Sequence, residues 1–119
     1  MNHEVKTIVS KAETFDLLEI RVGRITFVAL EPSAPKKAYR MEIDFGKFGK
    51  KTSVGRFTQH SIEEVLGKLV LGVLNFGTIR IGDIDSEVLI LGVQYPKADS
   101  GEATFICPVA DSKIGGKAF

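Results

Sequence analysis

Along "LLEIRVGRITFVAL", residues 17–30, the apolar side chains change sides part-way. Ile20 and Val22 share one parity, whereas Ile25 and Phe27 share the other. Alternate residues of a strand face opposite sides of its sheet. A slip of one residue at Gly23 therefore predicts a β-bulge or sharp bend there. A long strand bent in its middle can serve two walls of a small barrel, which strongly limits the folds open to the chain.

The remaining elements are read against that strand. Residues 38–46, "AYRMEIDFG", alternate, with Tyr39, Met41, Ile43 and Phe45 on one side and Arg40, Glu42 and Asp44 on the other. Phe27 and Phe45 are expected to face the core. "GKFGKK" makes a glycine-rich turn into a third strand around residues 52–57. "SIEE", residues 61–64, matches a capping box, with Ser61 as cap and Glu64 at its third position. It opens a helix of one or two turns that Gly67 closes. "KLVLGVLNF" (68–76) and "SEVLILGV" (86–93) are apolar on both parities, as central strands are, and "ATFICPV" (103–109) is a last strand. This order predicts an all-β, five-stranded OB-fold barrel with a short helix between strands three and four. Another small barrel, of the SH3 type, is the alternative. Val5, Ile8, Val9 and Ala12 fall at i, i+3, i+4 and i+7 and predict an amphipathic helix in an N-terminal extension, residues 1–14. With no repeats or linkers, residues 1–119 read as one domain.

At 44% apolar residues, the 119-residue chain is expected to fold around a core of its own. Cys107 is the single cysteine, which excludes an internal disulfide and fits a reducing compartment. Its apolar neighbours Phe105, Ile106 and Pro108 predict a buried thiol. Neither a cationic leader nor an apolar run of membrane-spanning length is evident, so a cytoplasmic, soluble protein is expected.

The net charge of +1 hides an asymmetry. Residues 36–56 hold seven basic side chains (Lys36, Lys37, Arg40, Lys47, Lys50, Lys51, Arg56) against Glu42 and Asp44, a local +5 that leaves −4 for the rest. A basic hairpin of this kind engages phosphates; the alternative is a solvated edge hairpin kept soluble by lysine. An enzyme is not expected. His3 and His60 have no second ligand at metal spacing. Asp83, Asp85 and Glu87 alternate without the calcium-loop pattern and read as a solvated turn. No phosphate loop, dinucleotide fingerprint or serine elbow is present. Neither metal nor cofactor is expected.

Several stretches together resemble the CsaA-type proteins, a family related to tRNA-binding domains appended to some aminoacyl-tRNA synthetases. They are "EIRVGRI" (19–25), "PKKAYRMEIDFG" (35–46), "NF" (75–76), "RIG" (80–82), "SEVLILGV" (86–93) and "GGKAF" (115–119). The resemblance implies an OB barrel, a homodimer, tRNA binding and a proposed chaperone role in protein export. By position it places Asn75, Arg80, Ser86 and Glu87 on the candidate RNA-binding face, with Ser53 from the third strand. Lys50, Lys51 and Arg56 join them from the basic hairpin as phosphate contacts, and Arg40 of the same hairpin is expected on the RNA-binding face. Arg80 is expected nearest the specific part of the ligand, with Glu87 orienting it or accepting from a base amine. The dimer interface is expected to include Val5, Ile8 and Val9 of the helix, and Gly115, Gly116 and Phe119. Unfolded or precursor polypeptides are the alternative partners. The chain departs from the family at Gly77-Thr78-Ile79, where two prolines and an arginine are common, at "TSVGRFT", which lacks a glutamine, and at "QYPKADSGEA", which is longer than usual.

Overall fold

The computed structural model describes residues 4–96 and 101–119, so the centre of the 94–103 connection lies outside the described residues, as does His3. Strand β1 (Ile20–Leu30) pairs along one edge with β4 (Leu69–Val73) and along the other with β2 (Tyr39–Asp44). Strand β2 continues to β3 (Lys50–Gly55), and β4 to β7 (Leu89–Ile90). Every pairing is antiparallel, and the order is β3-β2-β1-β4-β7. Helix α1 (Ile62–Val65) joins β3 to β4. This is the expected five-stranded, nearly closed barrel. Two small hairpins attach to it, β5 (Ile79–Ile81) with β6 (Ile84–Ser86) and β8 (Gly92–Gln94) with β9 (Ala103–Phe105). Among the described residues no helix is long and apolar enough to cross a membrane.

The alternation of β2 builds the core. Met41, Ile43 and Phe45 are fully buried and Tyr39 nearly so, while Arg40, Glu42 and Asp44 stay partly exposed on the other face. The capping box forms in full: Ser61 Oγ accepts from the Glu64 N–H, and the Glu64 carboxylate accepts from the Ser61 N–H. These bonds hold the Glu64 carboxyl below the usual glutamate range. Gly67 then leaves the helix with φ +88°, a conformation that glycine adopts without penalty.

The bulge in β1 is not at Gly23. Gly23 pairs regularly with Val70, and the register shifts between Ile25 and Phe27, at Thr26. The apparent slip has another cause: the first half of β1 is buried on both faces. Gly23 and Ile25 face the core, whereas Ile20 and Val22, 7% exposed each, are covered on the opposite face. The C-terminal segment runs along this half of the strand. Val22 N–H donates to Gly116 O (2.9 Å), Gly115 N–H to Val22 O (2.7 Å) and Ala118 N–H to Ile20 O (3.0 Å). Gly23 is glycine because Phe45 needs the space: a Cβ there would lie 2.5 Å from Ile43 Cγ2 and 2.6 Å from Phe45 Cε1. Gly72, on β4, makes room for the same ring: a Cβ there would lie 2.6 Å from Phe45 Cζ. Phe27 follows the bulge and is turned partly outward, 39% exposed, not into the core.

Three further expectations are corrected. Residues 4–10 form no helix, and Val5, Ile8 and Val9 are exposed. The apolar spacing spans barely two turns, below the length at which a helix holds itself together. Val5, Thr7, Ile8 and Val9 are all β-branched, and among the described residues nothing covers their stripe. Residues 86–93 are not one strand buried on both faces; they are divided among β6, β7 and β8, with Leu89 and Val93 half-exposed. Of residues 103–109 only Ala103–Phe105 is strand, and Cys107 is exposed, although partial desolvation pushes its thiol pKa up.

Candidate nucleic-acid interface

The barrel closes between β3 and the chain around Ser86, through three side-chain bonds and one backbone bond. Ser86 Oγ accepts from the Val54 N–H (3.2 Å), and Ser53 Oγ donates to Val88 O (2.9 Å). The Glu87 N–H donates to Thr52 O (2.7 Å), and its carboxylate accepts from the Thr52 N–H (2.9 Å). A strand edge with unmet N–H groups is thus satisfied by "Ser-Glu". Ser53 and Ser86 are 2% and 8% exposed. Asn75 is equally occupied: its side chain accepts from Glu19 N–H (2.8 Å) and donates to Leu17 O (2.9 Å), pinning the approach to β1. Four of the residues expected on the binding face therefore hold the barrel together. Glu87 does not orient Arg80, which pairs instead with Asp85 at 2.9 Å.

That pairing follows from the β5–β6 register. Arg80 lies opposite Asp85 on one face of the hairpin; Ile79, Ile81, Ile84 and Ser86 share the other. The tip packs on the loop after β1, where the Asp83 N–H donates to Ser33 Oγ. The three acids of this stretch do not converge, and among the described residues no group of histidine, cysteine or carboxylate side chains could hold a metal ion. His60 is bound into the fold, with Nε2 2.8 Å from Thr104 Oγ1 and the Glu64 carboxylate 3.6 Å from Nδ1.

The basic residues separate into two groups. Lys47, Lys50 and Lys51 lie around the β2–β3 turn, while Lys36, Lys37 and Arg56 lie at the opposite end of the hairpin. Five residue steps separate the ends of the β2–β3 pairing, or about 17 Å at ~3.3 Å per residue. Lys50 pairs with Asp44 and Lys51 with Ile43, so the two lysines point to opposite faces. Among the described residues none of these five lysines has an ion-pair partner. The arginines are more constrained. Arg56 donates to Lys37 O and lies 3.9 Å from Glu102. The Glu102 carboxyl is held low by Gln59 and Thr58, with Arg56 contributing. Arg40 lies 3.4 Å from Glu31 and 5.0 Å over the Phe27 ring. Arg21, with its Glu19 partner, lies 4.6 Å over Phe48.

Sequence reasoning missed a groove of about 380 Å³ between β3, the β5–β6 hairpin and β7. Its walls include Phe57, Phe76, Ile79, Ile81 and Leu89, with Arg56 at one side. Phe57 is stacked on Phe105 with centroids 4.0 Å apart. Phe76, Ile79 and Leu89 are each about half-exposed over it (56%, 61% and 49%). The isoleucines belong to the barrel-facing side of the hairpin, so an apolar underside arches over unfilled space. A run apolar on both parities conceals this, because it reads as buried wherever it occurs.

No protein-family model matches the chain. Two solved structures of CsaA chaperones share its fold and length. The one from Picrophilus torridus has a TM-score of 0.84 at 29% identity, covering 94% of this chain and all of that one. The one from Bacillus anthracis has a TM-score of 0.84 at 31% identity, with the same coverage. Among curated proteins, the methionine–tRNA ligase of Pyrococcus horikoshii is 32% identical over 108 residues. That match takes in 90% of this chain but only 14% of the ligase.

Proposed function

Since the chain belongs to the CsaA family, we propose that it binds structured RNA such as tRNA, acting in the cytoplasm as a homodimeric one-domain module. The observation that carries this reading is the concentration of lysines at both ends of the β2–β3 hairpin, without ion-pair partners among the described residues, on a chain that is otherwise acidic. Two cationic ends about 17 Å apart suit backbone contacts spread over a folded RNA better than a single base pocket. Lys36, Lys37, Lys47, Lys50 and Lys51 are assigned to phosphates, with Arg56 beside them. Arg80 and Arg40 are planar donors on exposed faces, able to pair with phosphate or stack on a base. Resemblance to methionine–tRNA ligases supports the choice of tRNA.

Binding of total tRNA, followed by gel shift from low to moderate salt, tests the reading. The apparent affinity should fall steeply with salt, and Lys50→Ala should flatten the log–log slope by about 0.7–0.9 per lost contact. Arg80→Ala should weaken binding by about 1–3 kcal/mol and reduce discrimination between RNAs. Salt-independent binding, or a Lys50→Ala slope equal to the parent's, would count against it. A second reading, the holding of unfolded or precursor polypeptides, is favoured by the apolar groove, and predicts binding that moderate salt leaves intact.

A further inference from the structure

We propose that the outer face of β1 and β2, centred on Phe27 and Arg40, is a stacking platform for an unpaired nucleobase of RNA. The inference rests on the RNA-binding reading above and names the part of the RNA that this face takes. The bulge at Thr26 creates the platform. The register shift sets Phe27 opposite Glu42 and Ala29 opposite Arg40, on the face turned away from Met41 and Ile43. The Thr26 hydroxyl donates to Glu42 O at 3.3 Å and ties the bulge to β2. A phenylalanine is thereby held in the middle of a polar face, 39% exposed and outside the core cluster.

Arg40 is fixed beside that ring. Its guanidinium carbon lies 5.0 Å from the ring centroid, and its Nε lies 3.4 Å from one oxygen of Glu31. The other Glu31 oxygen accepts from the Ser33 N–H (3.1 Å) and the Ser33 hydroxyl (2.6 Å). The carboxylate that positions Arg40 is thus itself held in place. Arg40 does not seal the ring, and its own side chain is 32% exposed. A flat ligand laid here meets aromatic carbon and a guanidinium plane together. Unpaired RNA bases stack on both kinds of surface.

Charge at this spot favours a base over a phosphate. Glu31 already matches Arg40, and Glu42, directly across from Phe27, adds a carboxylate that enters none of the ion pairs among the described residues. A phosphate over Phe27 would meet that excess negative charge. A base carries no charge, and an exocyclic amino group such as adenine N6 can donate to Glu42. Lys36 and Lys37 precede one end of the β2–β3 pairing, and Lys47 and Lys50 lie at the other. The platform sits between these ends, so phosphates on either side of the stacked nucleotide have cations to meet.

Fluorescence anisotropy with two RNA stem-loops tests this, one with an adenosine loop and one with the same stem and an abasic loop of equal length. Both carry the same phosphates, so phosphate contacts alone bind them equally. The full chain should bind the adenosine loop about tenfold more tightly, with equal salt slopes for the two RNAs. Phe27→Leu keeps the apolar bulk and should bring that preference below about twofold, with the parent's salt slope; Phe27→Tyr should retain the preference. Arg40→Lys, which keeps the charge without the plane, should reduce it as well. Lys50→Ala should instead lower affinity for both loops by the same factor. A parent that binds both loops alike, or a preference left intact in Phe27→Leu or in Arg40→Lys, would overturn the platform while sparing the RNA reading. A parent that binds neither stem-loop at low salt would overturn both.

Discussion

Ser53→Ala separates the architectural role of the β3 edge from a ligand-binding one. The Ser53 hydroxyl is buried, at 2% exposure, and donates to the carbonyl of Val88, itself 4% exposed. Alanine fits the space but leaves that carbonyl without this donor. Leaving a buried acceptor unpaired costs about 1–3 kcal/mol. At ~2.1 cal/mol/K of unfolding entropy per residue, 119 residues give about 0.25 kcal/mol/K, so the melting midpoint should fall by roughly 4–12 °C. Far-ultraviolet circular dichroism suits the measurement, since the chain has no tryptophan. tRNA affinity, measured well below both midpoints, should match the parent's. An unchanged midpoint with weakened tRNA binding would refute the reasoning and put Ser53 on the RNA.

Gly23→Ala should destabilise the barrel by about 1–3 kcal/mol, read as a lower urea midpoint, because the added methyl overpacks against Ile43 and Phe45; a midpoint equal to the parent's would mean that the Phe45 ring relaxes freely. Acid should destabilise the fold with a definite sign. Glu31, Glu64 and Glu102 all have lowered pKa values, chiefly from bonds to Ser33, Ser61 and Gln59 respectively. Their contribution is therefore complete above the ordinary glutamate pKa of about 4.3 and is lost as pH falls through the lower folded values. Urea midpoints should hold steady down to about pH 5 and then decline, more shallowly in Glu102→Gln.

The alternation in 39–45, the Ser61–Glu64 box and the glycine after it are local patterns, and each stands in the structure where the sequence places it. They are legible because side-chain period and cap chemistry act over a few residues. The family resemblance likewise singled out residues 53, 75, 86 and 87, but not the contacts they make within the barrel. Their occupation by Val88, Glu19, Leu17, Val54 and Thr52 depends on partners 32 to 58 residues away.

The sequence by itself determined the succession of the first four strands, the short helix between the third and fourth, the inner face of β2 and the lysine-rich hairpin. Tertiary structure alone decided the rest, including the bulge at Thr26, the outward turn of Phe27 and the division of 86–93 into three pieces. It also decided whether Val5, Ile8 and Val9 form a helix, because a stripe that short takes its conformation from what it packs against. The physical reason is common to these cases. Period and propensity specify which side chains share a face, but closure of the barrel decides what each face meets, and no local window contains that partner.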